Sequence, residues 1–274
     1  MTIITTSARA TALSTAGETN NPFFTGAPLT GTYSTDTGTE VLAASNAYSG
    51  TTFDPWTATP ATALAAWKVD FGSAQAPKFV AMAAHNASDV SAQIRVQSST
   101  DDATWTTVTG TITTPTDNQA IGWRLSGGTS ARYWRIRFDS LTDDISVGVF
   151  WLGDEIILPQ RIYQGYTPPI TPTQVDLNTN VSEGANLLGS AYTERGSTFQ
   201  ASFSHISPSF LRGATWKAFQ NRWNRGSGAF WGWRPTKYGD LFYAWRSGGI
   251  IQPTNEGPKD LMGFTVQGRA YDDT

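Results

Sequence analysis

The stretch ARYWRIRF, residues 131–138, alternates large apolar side chains with polar ones. The two sets are Trp134, Ile136 and Phe138 on one side and Tyr133, Arg135 and Arg137 on the other. A period of two is typical of a β-strand with one dry and one wet face. The segments WKVDFG at 67–72 and QIRVQ at 93–97 repeat the pattern, and Gly72 is expected to end the first of them. Several short half-buried strands predict a β-sandwich.

The composition favours a folded, mainly β protein. Its 274 residues are 39% hydrophobic and 15% charged, with eleven Trp, fourteen Phe and nine Tyr, whereas disordered chains are richer in charge and poorer in aromatics. Without cysteine and with only two histidines, there is no disulfide framework and little material for a zinc site. We expect no metal and no cofactor.

Charge and hydropathy argue against two classes of partner. The formal net charge is -3 and the chain has no long basic run, so binding to a nucleic-acid backbone is not expected. No apolar run approaches the roughly 20 residues of a membrane span. The first twenty residues lack the apolar core of a signal peptide, so neither secretion by that route nor membrane insertion is expected.

The chain divides into two chemically different halves. Residues 1–160 hold eight basic and fourteen acidic side chains, and residues 161–274 hold eleven and eight. Between them, YTPPITPT at 166–173 has three prolines, which remove backbone donors and fix φ. We therefore predict two domains, 1–160 with a core at 41–160 and 161–274, joined by a linker at 166–173. The role of residues 1–40, an edge strand or an arm, stays open.

The second half combines strands with a single helix. FQASFSH at 199–205 and LFYAWR at 241–246 alternate like strands. Between them, Ser207 can cap a helix and Pro208 suits its first turn. Apolar or small residues then recur every four positions, namely Leu211, Thr215, Phe219 and Trp223. We predict a small β-barrel or sandwich with one α-helix near 207–225.

Four segments of the first half, in order, resemble the discoidin or coagulation-factor type C family. They are WKVDFG at 67–72, SSTDDATWTTV at 98–108, ARYWRIRF at 131–138 and GDEIIL at 153–158. The resemblance covers residues 41–160 and implies a galactose-binding-like β-sandwich, with Trp105 and Trp134 in its core. Members of that family bind sugars or lipid head groups through loops at one end of the sandwich. The family's cysteine pair is missing here, and Ala103 stands where the family usually has glycine.

The loop at 43–59 is the place where that resemblance implies a ligand. Its aromatic residues could stack on a sugar face while an amide and a carboxylate hydrogen-bond the hydroxyls. The candidates are Tyr48, Phe53 and Trp56 for stacking and Asn46 and Asp54 for hydrogen bonding. The alternative is a loop held in place by its own aromatics. The acidic pairs at 101–102 and 143–144 are expected to be solvated turn residues.

The second half resembles the ring-forming domain of distal tail and related minor tail proteins of long-tailed bacteriophages. The matching segments are GSTFQASFSHIS at 196–207, WKAFQNRW at 216–223, FWGWRPTKYGDLFYAWR at 230–246 and GFTVQGRAY at 263–271. This resemblance implies a homo-oligomer, a hexameric ring, at the baseplate end of a tail. Its neighbours would be the tail tube, tape measure, hub or fibre, and the protein would be made in the host cytoplasm and reside in the virion. Many distal tail proteins have the two domains in the opposite order.

A short stretch of the second half concentrates more aromatic area than a domain of about a hundred residues easily buries. Its predicted oligomer contacts are Trp231, Trp233, Tyr243, Trp245 and Arg234. Arginine supplies the bidentate donors that interfaces favour. An ordinary small core is the alternative, because strand alternation alone accounts for half of the rings. His205 is expected to lie in the core.

No catalytic motif is present, so we expect no enzyme and assign no catalytic residue. The combined hypothesis is a tail structural protein that forms a ring and carries an outward carbohydrate-binding-like domain for adsorption to a host surface glycan. Repetition around a ring would raise avidity. The alternative is a free-standing carbohydrate-binding or adhesion module, and a third possibility is glycan hydrolysis.

Overall fold

The computed structural model describes residues 2–110, 112–162, 165–170, 175–194, 197–257 and 259–271. The fold is mainly β, as the sequence predicts. The strands of the first half are β1 Thr2–Thr5, β2 Phe23–Pro28, β3 Thr32–Thr37, β4 Thr39–Leu42, β5 Trp56–Thr59, β6 Ala65–Gln75, β7 Phe79–His85, β8 Gln93–Ser99, β9 Thr106–Thr107, β10 Ile121–Arg124, β11 Ala131–Asp139 and β12 Ile145–Ile157.

The second half contributes seven described strands and two described helices. The strands are β13 Val175–Val181, β14 Leu187–Glu194, β15 Ser197–Ile206, β16 Ala229–Gly232, β17 Phe242–Arg246, β18 Thr254–Asn255 and β19 Met262–Ala270. Helix α1 Ser7–Thr15 precedes them, and α2 Pro208–Arg212 and α3 Ala214–Asn224 follow β15. None of these helices is both long and apolar enough to cross a membrane.

A β-sandwich forms the first half. One sheet has the order β3-β6-β11-β8-β9, and its apolar residues face those of β7, β10 and β12 across a shared core. The predicted alternation is confirmed at Trp134, Ile136 and Phe138, which are all buried. The predicted end at Gly72 is wrong, because β6 continues to Gln75 through a register shift opposite β11.

Trp105 also differs from the expectation. It is only half-buried, and the guanidinium of Arg135 lies 4.1 Å from its ring centroid. Trp105 lies just before β9, an edge strand, so its ring packs on the polar outer face of the sheet instead of filling the core. This stacking is a cation–π contact that shields the indole without burying it.

One sheet runs through both halves of the chain. Its main path is β1-β10-β7-β12-β2-β16-β17-β19-β15. Strand β2 joins the halves, because it pairs antiparallel with β12 on one side and with β16 on the other. Residues 1–40 therefore contribute a central strand, in addition to the edge strands β1 and β3.

This sheet crosses the boundary between the predicted domains 1–160 and 161–274. The boundary separates residues whose strands share a sheet and whose side chains share a core. The halves differ in amino-acid composition and in charge, but these two properties do not predict which strands pair. Of the predicted linker 166–173, residues 171–173 lie outside the described residues. Tyr166, at its start, packs against the second half, and its hydroxyl accepts a hydrogen bond of 2.8 Å from Trp231 Nε1.

The large sheet is buried on both faces where the halves meet. On β7, Val80 and Met82 belong to the sandwich core, while Phe79 and Ala81 pack with residues of β2, β16 and β17. A further core lies under α3 and includes the inward residues of β15 and β19. Strands buried on both faces form because the curled sheet meets a partner layer on each side.

The helical segment is two short helices instead of one. Ser207 and Pro208 start α2 as expected, and the Ser207 side chain accepts a hydrogen bond from the Ser209 amide. Gly213 then adopts an extended conformation (φ -60, ψ 142), which resets the helical phase. Consequently Trp216 replaces Thr215 on the buried face, beside Phe219 and Trp223.

His205, expected in the core, is exposed. It has φ 60 and lies at a register shift in the pairing of β15 with β19, where one extra residue turns it outward. Ile206 occupies the buried position instead.

Removing the Phe24 side chain from strand β2 tests the shared sheet. Phe24 is buried in the core under α3, and its ring stacks on Trp231 at a centroid distance of 4.3 Å. We expect Phe24→Ala to lower the free energy of unfolding by about 3–5 kcal/mol, because the cavity cannot close between two strands. Urea unfolding measures this change. The control Phe53→Ala, at a side chain 95% exposed, should change it by less than about 0.5 kcal/mol. Equal effects of the two variants would contradict the bridging role.

Acid should destabilise the sandwich through His85. Its Nε2 donates to the Gln119 carbonyl at 3.0 Å and its Nδ1 accepts from the Ala87 amide at 3.3 Å. Burial lowers the pKa of His85 to about 4, so the stabilisation is complete above the unfolded pKa of about 6.5 and is lost as the pH falls through about 4. We expect a loss of about 3 kcal/mol over that range. Urea unfolding at each pH measures the free energy of unfolding. It should fall with decreasing pH more steeply in the wild type than in His85→Gln, whose amide can both donate and accept. The same pH dependence of the free energy of unfolding in both proteins would contradict this role of His85.

Candidate functional site

Two aromatics of the loop at 43–59 are structural. Trp56 is fully buried in the sandwich core, and its Nε1 donates to Thr35 Oγ1 at 2.8 Å. The Tyr48 ring packs against Tyr33 and Trp67, and its hydroxyl donates to the Leu152 carbonyl at 3.1 Å. Burial raises the pKa of Tyr48. Trp56 has no accessible face, so its assignment to sugar stacking is wrong. Tyr48 is half-buried, and its assignment stays a prediction.

The remaining loop candidates separate into one that shapes the loop and two that face solvent. Asn46 Nδ2 donates to the Pro55 carbonyl at 3.3 Å, which ties the loop's start to its end. Asp54 is exposed. Phe53 is 95% exposed, which is unusual for a phenyl ring. Of the three predicted aromatics, Phe53 is the one whose ring is almost fully exposed.

Phe53 borders a crevice between the two halves of the protein, which we call the junction crevice. Its outer part is a cavity of about 260 Å³ lined by residues 50–53, Gly226, Gly228, Tyr243 and Trp245. A deeper part of about 220 Å³ shares Gly50, Thr51, Gly226, Gly228 and Tyr243 with the first. The further lining includes Pro28, Tyr48, Ser49, Val149, Phe150, Trp151, Arg222 and Ser227. Five stretches of sequence, at 28, 48–53, 149–151, 222–228 and 243–245, therefore build one concave surface.

Tyr243 fixes the two walls of the crevice relative to each other. Its hydroxyl donates to the Gly50 carbonyl at 2.6 Å, and burial raises the pKa of Tyr243 to about 12. The residue that faces this ring on the opposite wall, Gly228, has to be glycine. A Cβ there would lie 2.0 Å from the Tyr243 hydroxyl oxygen. The crevice shape thus follows from one buried phenol and the glycine against it.

Arg222 supplies the charge of the deeper cavity. It extends from α3, is half-buried, and donates to the Gly26 carbonyl of β2. Among the described residues that line the crevice, Arg222 is the only one with a formal charge. Burial lowers the pKa of Arg222 from its ordinary value, although a guanidinium stays protonated at physiological pH.

Two of the five predicted oligomer contacts are buried inside the chain. Trp231 belongs to the core under α3, and Tyr243 belongs to the core between the halves. The expectation that they face a partner is therefore wrong, because a sheet covered on both faces offers more interior than a small separate domain. Trp233, Arg234 and Trp245 are half-exposed. Trp233 stacks on Tyr238 at 5.0 Å, and Trp245 lines the junction crevice.

The hairpin of β13 and β14 exposes several apolar side chains. Strands β13 and β14 pair only with each other among the described residues. Five of their apolar side chains are more than half exposed, namely Leu177, Val181, Leu187, Leu188 and Tyr192. Leu177 lies directly opposite Tyr192 in the register, and Val181 opposite Leu187. An isolated two-stranded hairpin is only marginally stable in water, so this surface is the one that most needs a partner.

The acidic pair at 101–102 is occupied by internal contacts. Asp101 accepts hydrogen bonds from the Ala103 and Thr104 amides, which hold the pKa of its carboxyl below the ordinary value. Asp102 forms an ion pair with Lys68 at 2.8 Å. Within the described part of the chain, no three histidine or acidic side chains converge as metal ligands would.

Another concavity lies elsewhere on the second half. It measures about 450 Å³ and is lined mostly by glycine, threonine, serine and glutamine residues, among them Gln200 and Gln267. The Gln267 amide already donates to Gln200 Oε1 at 2.9 Å. None of its described lining residues is charged. It therefore offers less specific chemistry than the junction crevice.

Comparisons with known proteins give no family for the chain. Neither a family model nor a curated protein matches it. Several solved structures that resemble part of it are carbohydrate-binding modules. Chitosan-binding module 1 of a Paenibacillus sp. IK-5 chitosanase/glucanase is 22% identical, covers 47% of this chain and 98% of its own, and gives a TM-score of 0.40.

Two further structures are of the same kind. A pectin binding carbohydrate binding module is 11% identical, with 47% and 91% of the two chains covered and a TM-score of 0.37. CBM32-1 from a family 31 glycoside hydrolase of Clostridium perfringens is 16% identical, with 44% and 93% covered and a TM-score of 0.37. Likenesses this low do not identify a ligand or an activity for this chain.

Proposed function

We propose that the protein is a non-catalytic glycan-binding protein and that the junction crevice is its binding site. The observation that carries the proposal is Phe53, a phenyl ring 95% exposed at the edge of a concave surface that also includes the half-exposed Trp245. A pyranose has an apolar face that an aromatic ring covers, and burying a phenyl ring contributes about 1.5–3 kcal/mol.

The rest of the crevice offers partners for sugar hydroxyls. Ser49, Thr51 and Ser227 line it, and the Ser49 and Thr51 hydroxyls lie 2.7 Å apart. Each part of the crevice is smaller than the roughly 300 Å³ at which small-molecule pockets begin. This size suits one or two sugar units at the end of a glycan better than a bulky cofactor.

The resemblance of residues 41–160 to the discoidin family supports the same proposal. That resemblance implies sugar binding by loops at one end of the sandwich, and Phe53 lies in such a loop. Glycoside hydrolysis requires two carboxylates across a cleft. The described lining of the crevice contains no carboxylate, so the crevice is proposed for binding, and the non-enzymatic assignment stays a prediction.

A second proposal, assembly into a multi-copy particle, rests on the hairpin of β13 and β14. Its exposed apolar pairs are suited to pack against another chain, either a sister copy or a neighbour in the particle. The resemblance of the second half to tail ring domains supports a ring in a phage virion, with tail proteins as further partners. Several copies would multiply a weak glycan contact into useful avidity. A free-standing adhesion module remains the alternative and would need no such surface.

Removing the Phe53 ring should weaken glycan binding. We expect Phe53→Ala to raise Kd at least about tenfold, because the stacking area is lost, without changing the free energy of unfolding. A glycan array identifies a bound glycan, and calorimetric titration of that glycan then measures Kd. The control Ile250→Ala removes another exposed apolar side chain outside the crevice lining and should leave Kd unchanged. An unaltered Kd in Phe53→Ala would exclude the junction crevice as the glycan-binding site.

Polar substitutions in the hairpin should reduce assembly. We expect the double variant Leu187→Ser, Leu188→Ser to shift the mass toward the monomer, because both side chains would be buried against a partner. Sedimentation velocity over a wide concentration range measures the mass. Val41→Ser, at an exposed apolar residue of β4, is the matched control and should leave it unchanged. A wild type that stays monomeric at the highest concentration, alone and with tail neighbours, would refute the assembly proposal.

A further inference from the structure

Arg222 differs from the arginines of the first half in how its charge is balanced. All six arginines before residue 140 contact a carboxylate within 4 Å, namely Arg9, Arg95, Arg124, Arg132, Arg135 and Arg137. No ion pair joins Arg222, or any other described arginine after residue 160, to a carboxylate of the described residues. Of these arginines, Arg222 is the one that lines the junction crevice. Its recorded hydrogen bond goes to the neutral carbonyl of Gly26. A guanidinium has five N–H donors, so most of its donor capacity is left for another partner.

The surroundings of Arg222 do not neutralise it. The ionisable groups that act on it most strongly are the hydroxyls of Tyr243 and Tyr48. Burial raises the pKa of both tyrosines, so both are uncharged at physiological pH. A half-buried cation without a counter-ion costs desolvation free energy that a bound anion would offset.

Arg222 lies next to the proposed glycan-binding site, so its positive charge can act on a ligand bound there. Arg222 lines the deeper part of the junction crevice, and the outer part carries Phe53 and Trp245. A ligand that stacks a sugar ring in the outer part can extend a substituent inward. A planar guanidinium matches a carboxylate or an ester of sulfate or phosphate through two parallel hydrogen bonds.

We propose that the junction crevice selects acidic glycans, and that Arg222 binds the anionic group of the sugar. This inference rests on the proposed glycan-binding function and adds the class of ligand. Neutral glycans lack the charge that compensates Arg222, and they bind more weakly. Affinity for an acidic glycan falls with salt, because part of it is a charge interaction.

The test is a glycan array of carboxylated, sulfated, phosphorylated and neutral glycans, followed by titration with oligogalacturonate, its methyl ester, dextran sulfate and dextran. We expect the bound glycans to be acidic and each esterified or unsulfated match to bind at least tenfold more weakly. The carboxylated and sulfated pairs distinguish the two sources of the anion. Preferential binding of neutral glycans would overturn the inference and leave the proposed function standing, whereas binding of none would refute both.

Variants locate the effect at Arg222. We expect Arg222→Gln to weaken binding of the acidic glycan about 10- to 100-fold, as expected for a lost charged hydrogen bond, and Arg222→Lys to retain part of it. Arg225→Gln makes the same change of net charge at an exposed neighbour and should be near neutral. Urea unfolding checks that each variant is folded. Equal losses in Arg222→Gln and Arg225→Gln, or a neutral glycan bound as well as its acidic match, would contradict the role of Arg222.

Discussion

Strand β2 holds the molecule together, because its two neighbouring phenylalanines point to opposite faces of the sheet and into different cores. Phe23 packs between the halves, and Phe24 packs under α3. Thr25, between β12 and β16, accepts a hydrogen bond from the Phe230 amide at 2.9 Å. Without this strand the sandwich and the second half would have no common sheet, and each would expose a face that is now buried.

The junction crevice is a consequence of the same join. Its walls are a loop of the sandwich and the turn after α3, which lie together because β2 brings β12 and β16 into one sheet. Arg222 contacts β2 itself at Gly26, and Tyr243 contacts the loop at Gly50. Since the site exists only when these separate stretches meet, a ligand that binds it also stabilises the folded state. The shape and charge of the crevice and the stability of the fold therefore depend on the same arrangement of strands.

The local features of this fold were predictable, and the contacts between its parts were not. Alternation identified the inward face of β11, and the residue types at Ser207 and Pro208 identified the start of a helix. Strand β2 was missed because FFTGAP is too short to show a period and is buried on both faces. Trp56 and Trp231 were misassigned because a pattern of aromatics does not reveal which layer covers them. Arg222 was visible only as one arginine among several, since its missing counter-ion is a property of the folded state.

Native-state hydrogen exchange of the wild-type protein tests the shared sheet most directly. Under conditions where exchange reports the opening equilibrium, amides in the paired parts of β7, β12, β2, β16 and β17 should exchange with a common free energy of opening, equal to that of global unfolding. Fast exchange is expected only at the hairpin of β13 and β14 and in exposed turns. If amides of β16 and β17 opened at a clearly lower free energy than those of β7 and β12, the halves would be separate folding units, contrary to the shared sheet.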